Sequence, residues 1–128
     1  RDIERNGAGA REAERYYRII RDFLKAAARV WGETWGNANS MVTRPVTLKA
    51  MIRVCADLNR EEGEELEEGR VQLWAGRLAP WGECKRDFRA DGFYERFPAK
   101  GQIERVGKIH RYLARAASIE VTRERVPA

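Results

Sequence analysis

Cysteine is scarce in this chain, and that scarcity limits what the protein can be. Cys55 and Cys84 are the only two in 128 residues, too few for a secreted disulfide scaffold. His110 is the only histidine. Cys55, Cys84 and His110 lie far apart, and no C-x-x-C or H-x-x-x-H pair places two ligands on one turn, so no metal site is expected. No apolar run approaches the roughly 20 residues of a membrane span. Glycine-rich phosphate loops are also missing. "NGAGAREAER" holds Gly7 and Gly9 ahead of a helix, but it matches neither G-x-x-x-x-G-K-[ST] nor G-x-G-x-x-G and follows no strand. Sustained alternation of polar and apolar residues, the mark of a half-buried sheet, is absent as well.

Charge and apolar bulk are plentiful. Hydrophobic residues make up 43% of the chain and charged residues 35%, enough for one core under a heavily charged surface. Twenty-five Lys and Arg against 20 Asp and Glu leave a net charge of +5. That excess suits nucleic acid, an acidic protein or an anionic surface. The predominance of Arg over Lys suits bidentate phosphate or carboxylate contacts, and a high-GC genome gives the same bias. No signal peptide precedes the first helix, so the default setting is cytoplasmic. Because the chain opens at Arg1 rather than methionine, a fragment or a processed chain is expected, with room for active residues upstream.

Periodicity predicts a mainly α domain of about five helices. Residues 1–10 read as a flexible lead-in, 11–119 as the helical domain and 120–128 as a tail with room for a short β element. From Arg11, the residues Ala13, Tyr16, Tyr17, Ile20, Phe23, Leu24, Ala27, Val30 and Trp31 recur at three- and four-residue steps. They form one face of a helix of about six turns, which Gly32 and Gly36 end. "MVTRPVTLKAMIRVCADL" (41–58) starts a second helix, with Pro45 in its first turn. Leu48, Met51, Ile52, Cys55 and Leu58 share its apolar side, and Lys49, Arg53 and Asp57 its polar side, where Arg53 and Asp57 are spaced to pair. "NREEGEELEEG" then packs six glutamates between residues 59 and 69, either a solvated loop or a short acidic helix. Such a cluster repels phosphate, so a nucleic-acid face must point away from it.

A short helix follows over Val71–Ala79. Pro80 breaks it and opens "PWGECKRDF", Asp91-Gly92 makes a turn, and "FYERFPAKGQ" is an aromatic connector. The last helix covers about Gln102–Ser118, with Ile103, Val106, Ile109, His110, Leu113 and Ala117 on one face and Arg105, Lys108, Arg111 and Arg115 on the other. Trp31, Trp35, Trp74 and Trp81 fall near helix ends, where they seal the corners of the core if each indole N–H finds an acceptor.

No catalytic constellation emerges. His110 sits in the middle of an apolar helix face, where a packed histidine with one hydrogen-bond partner is expected. Cys84 lies between Glu83 and Lys85, and Lys85 and Arg86 bring positive charge after it, but no signature of a cysteine enzyme surrounds it. No cofactor and no catalytic residue is assigned. The functional candidates are cations. Arg11, Arg15, Arg18, Arg21, Lys25 and Arg29 stand opposite the apolar face of the first helix, and Arg44, Lys49 and Arg53 edge the second. Together they suit phosphate-backbone contacts, although a solvated helix face has the same pattern. A helix-turn-helix is disfavoured, because the connector from Gly32 to Arg44 is much longer than the usual turn.

Three segments together, "RYYRIIRDFLKAAARVWGETW", "MVTRPVTLKAMIRVCADL" and "FRADGFYERFPAKGQIERVGKIHRYL", resemble the C-terminal part of the DGQHR-domain (DndB-like) proteins over about Arg11–Ala117. The Asp-Gly-Gln-His-Arg signature itself is not in the chain, so none of its functional residues carries over. The resemblance implies a helical, non-catalytic piece of a protein involved in DNA modification, defence or its regulation. The expected partners are DNA, the N-terminal domain of the same protein, or a second copy. The alternatives are an interaction module that packs on a missing N-terminal domain, or part of an enzyme whose catalytic residues lie upstream.

Overall fold

The computed structural model describes residues 2–62 and 67–121, with side chains from residue 9 onward. Five α-helices follow in order: α1 (Asp2–Trp31), α2 (Pro45–Glu62), α3 (Arg70–Leu78), α4 (Phe93–Arg96) and α5 (Gln102–Ala116). A 3-10 turn, Gly32–Thr34, closes α1, and a 3-10 stretch, Ala79–Phe88, follows α3. The expected mainly α fold is the one observed. The only β pairing among the described residues is an isolated bridge between Ser40 and Arg89. Of the 120–128 tail, only Glu120 and Val121 are described, and neither is in a strand.

Helix α1 begins at Asp2, so residues 2–10 belong to the helix instead of leading into it. A glycine inside a helix costs only about 1 kcal/mol relative to alanine, and the neighbouring Glu, Arg and Ala residues favour helix. Side chains of residues 9–14 are all exposed, so this end of α1 projects from the core.

The core-facing side of α1 also differs from the expected one. Ile19, Asp22, Phe23, Ala26, Ala27 and Trp31 are buried, whereas Tyr16 and Tyr17 are 49% and 62% exposed. The cause is α3, which docks on α1 through Trp74 and a buried ion pair. Arg70 Nε donates to Asp22 Oδ2 at 3.0 Å, and Arg70 Nη2 lies 2.9 Å from the same oxygen. Phe23 meets Trp74 edge-on at 6.1 Å and Trp81 at 6.2 Å. The tyrosine hydroxyls tolerate the solvent side.

The connector after α1 is pinned to the end of the 3-10 stretch. Met41 N–H donates to Phe88 O and Ala90 N–H to Asn39 O, both at 2.7 Å. This sets the starting point of α2, where Pro45 is the first helical residue as expected. Helix α2 packs on α5 and buries Met51, Val54 and Leu58 with Val106, Ile109 and Leu113. Each such fully buried side chain stabilises the fold by about 1.5–3 kcal/mol.

The aromatic connector contains a single helical turn, α4, that begins at Gly92, whose φ of 95° favours glycine. Phe88, Phe93, Phe97 and Tyr112 form an aromatic cluster there. Three tryptophans, Trp31, Trp74 and Trp81, are fully buried. Trp81 Nε1 donates to Leu113 O at 2.9 Å, but Trp31 and Trp74 Nε1 find no acceptor among the described residues, contrary to expectation. Trp31 stacks on Trp81 at 5.5 Å, and the Arg70 guanidinium lies over Trp74 at 5.5 Å.

Candidate anion-binding cleft between α2 and α5

The α1 cations do not form an open row. Arg15 pairs with Glu12 at 3.1 Å. Arg18 joins Glu14 at 3.2 Å and Glu67 at 3.0 Å, and Arg21 lies 3.0 Å from Asp22. Three of the six stripe positions are thus committed to carboxylates, one of them a member of the acidic cluster. Arg11, Lys25 and Arg29 are exposed. Arg44, at the start of α2, is exposed too. Of the other acidic-cluster residues, Glu61 and Glu62 end α2 and bind Arg77, Glu61 at 2.7 Å. Residues 63–66 lie outside the described residues.

Lys49 and Arg53 meet α5 instead. An open cleft of about 1360 Å³ separates α2 from α5, with Arg53 and Arg60 on one wall and Arg111 and Arg115 on the other. Ser118, Glu120 and Val121 line it beyond the end of α5. Arg53, Arg111 and Arg115 are all exposed, and none forms an ion pair among the described residues. Helix geometry explains the clustering: Arg111 and Arg115 are one turn apart on α5, and Arg53 and Arg60 two turns apart on α2. Gly107 lies beneath this cluster, where a Cβ would sit 3.4 Å from Arg111 Nη1, so glycine lets the guanidinium lie close to the helix backbone. A smaller groove of about 440 Å³ extends the same seam past Lys49, Arg53, Gln102 and Ile103. Ile103 was expected in the core but is 83% exposed here.

The same cleft is lined by Asp57 and His110. Asp57 was expected on the solvent side of α2 beside Arg53, but it is 3% exposed. Its Oδ2 lies 2.6 Å from His110 Nε2, and Arg60 approaches Oδ1 at 3.7 Å. This is the packed histidine with a hydrogen-bond partner that the sequence suggested. The contact joins α2 to α5 and leaves the imidazole only 12% exposed. Where the cleft ends, Glu120 N–H donates to Glu61 Oε2 at 2.9 Å. That bond, and next the Arg77 side chain, holds the Glu61 carboxyl below the ordinary range.

The cysteines are structural. Burial pushes the Cys55 thiol up to about 12 against the opposing charge of Arg70, which keeps it protonated and unreactive. Cys84 is buried too, with Sγ 3.9 Å from Pro80 O. No group of three or more potential metal ligands gathers among the described residues. Nor is any described helix long and apolar enough to cross a membrane.

Four guanidinium groups facing one cleft, against Asp57 and Glu120, favour an anionic ligand. The spacing of Arg111 and Arg115 was readable in the sequence as the polar face of the last helix. That Arg53 would face them was not, because the packing of α2 on α5 is a long-range fact. Searches against protein-family models, curated proteins and solved structures return no match.

Proposed function

We propose that this domain binds the phosphate backbone of DNA in the cleft between α2 and α5, as a non-catalytic, helical part of a DGQHR-type protein. One observation carries the reading: Arg53, Arg111 and Arg115 converge on one cleft without carboxylate partners among the described residues, while Arg15, Arg18 and Arg21 on α1 are paired. Guanidinium groups without internal partners are available to neutralise phosphates and release counterions. The resemblance of the three segments to the DGQHR-domain proteins supports DNA as the polyanion. Of the nine cations picked out in the sequence, Arg53 lies in the cleft and Lys49 beside it.

The test is a titration of the chain into duplex DNA at several salt concentrations. Binding is expected at low salt, with a log–log salt slope of about −2 to −3 for three phosphate contacts. Reversing Arg53, Arg111 and Arg115 to Glu abolishes it, while reversing the exposed α1 pair Arg11 and Arg29 leaves most of it. Equal losses from the two sets, or no binding at low salt, overturn the assignment.

A further inference from the structure

Beside its exposed cations, the solvent side of α1 carries an apolar strip. Ala13, Tyr17, Ile20, Leu24 and Ala28 follow each other at steps of three and four along it, and each is at least partly exposed. Trp35, also partly exposed, continues the strip beyond the helix end. Two shallow grooves of about 460 and 430 Å³ flank Ile20, the second lined by Tyr17, Leu24, Ala28 and Trp35. The periodicity of the sequence assigned Ala13, Tyr17, Ile20 and Leu24 to a core; within one chain Ala13 and Tyr17 stay exposed, and Ile20 and Leu24 touch the core but are only half-buried. On this strip Gly9 and Ala13 are small and exposed, as is Ala10 beside them.

From this we infer that the strip is the contact between two copies of the chain, with the two α1 helices packed antiparallel. A two-fold axis between Tyr17 and Ile20 sets Tyr17 of one copy against Ile20 of the other. In the same register Ala13 meets Leu24 and Gly9 meets Ala28. Gly9 and Ala13 of each helix then lie against Ala28 and Leu24 in the groove of the other copy, where their small size allows close approach. Because α1 has 30 residues, this axis falls near its midpoint and almost the whole helix is covered.

Charge agrees with this orientation. Glu14, exposed and already paired with Arg18 at 3.2 Å, borders the strip on the same side as Lys25. In one helix these positions are about 16 Å apart and do not meet. In the antiparallel pair, Glu14 of each copy comes beside Lys25 of the other. A parallel pair puts the Glu14 and Lys25 edges of the two copies on opposite sides of the interface and loses this match. The interface is isologous and closes on itself.

Sedimentation velocity over a wide concentration range tests the inference. The wild-type chain is expected to pass from monomer to dimer as concentration rises. Tyr17→Glu, at a position 62% exposed and therefore harmless to the monomer fold, weakens association at least ~tenfold. Circular dichroism confirms that the variant keeps its helix content. Glu14→Lys and Lys25→Glu each weaken the dimer, and the double variant restores it, because only contact between copies joins these two positions. A wild-type chain that stays monomeric, a dimer indifferent to Tyr17→Glu, or a double variant no better than the singles overturns it.

Discussion

Arginine does opposite things on the two sides of this molecule. Between α1 and α3 it is neutralised: Arg70 is 3% exposed and holds Asp22, while Arg15, Arg18 and Arg21 each find a carboxylate. Between α2 and α5, Arg53, Arg111 and Arg115 face a cleft with no such partner among the described residues. The same side chain is mortar in one place and faces solvent in the other. What separates the two is the local supply of acid. Helix α1 carries Glu12, Glu14 and Asp22 within a turn of its arginines, whereas the one carboxylate at the centre of the cleft, Asp57, is occupied with His110 and Arg60. Positive charge in a sequence therefore predicts a binding face only after nearby carboxylates have been assigned.

The largest loss is expected at Asp22. Asp22→Ala leaves the Arg70 guanidinium buried and uncompensated, an arrangement that costs about 3–5 kcal/mol. Chemical denaturation should show that loss, accompanied by separation of α3 from α1. Replacing both residues with leucine removes the charge along with its partner and should recover much of the stability. If Asp22→Ala costs no more than an exposed ion pair, below about 1 kcal/mol, the interface is not organised around this pair.

The cleft side sharpens the contrast. Arg111→Ala should lower DNA affinity by about three- to tenfold and reduce the salt slope by about 1, with little change in stability, because the side chain holds nothing together. Arg18→Ala should do the reverse, leaving affinity within about twofold while removing the bond from α1 to Glu67. Fluorescence anisotropy and thermal melts on the two variants separate these outcomes. A larger affinity loss for Arg18→Ala would return the function to the α1 stripe.

Much of the fold was legible because helices declare themselves locally. Pro45 at the start of α2, the end of α1 at Gly32 and the apolar rows of α2 and α5 all follow from short-range chemistry. What could not be read was which side of a helix finds a partner. Helix α1 is apolar over more than half its circumference, so periodicity alone did not choose between the Tyr17–Leu24 side and the Ile19–Ala26 side. Arg70, 48 residues away, made the choice through Asp22. Asp57 was misplaced for the same reason: its partner His110 is 53 residues distant. The cleft is a product of these distant pairings, and only its α5 wall was visible in advance.

Acid tests a third region, the junction of α4, α5 and the 3-10 stretch. Burial, the largest single influence on Asp87, pushes its carboxyl up. The hydrogen bonds from Tyr112 and Arg96, with the charges of Arg96 and Arg86, outweigh it and hold the group below its ordinary value. A depressed folded value means that the contribution is complete above the unfolded value, about 3.9 for Asp, and is lost as pH falls through the folded one. Asp87→Asn should therefore lower stability near neutrality and flatten its fall below about pH 4. Urea midpoints at a series of pH values measure this, and an unchanged acid limb would show that Asp87 is not a principal acid-sensitive contact.

The smallest expected effect is a gain, and it lies at the far end of the cleft. Helix α5 ends with Ile119 N–H donating to Ala114 O at 2.8 Å and Ser118 N–H to Arg115 O at 3.1 Å. This pair of bonds requires a left-handed residue at position 118, usually glycine. Ser118 takes that conformation, with φ 56°, the only non-glycine residue with positive φ among those described. Its Cβ is therefore strained, and Ile119, buried just beyond, keeps the turn in place. Ser118→Gly relieves the strain, while glycine's greater freedom in the unfolded chain offsets part of the benefit, leaving a net gain of about 0.5–1 kcal/mol. Because Ser118 also lines the cleft, DNA affinity measured on the same variant shows whether its hydroxyl touches the ligand. The arginine account requires that affinity to stay unchanged as the melting temperature rises.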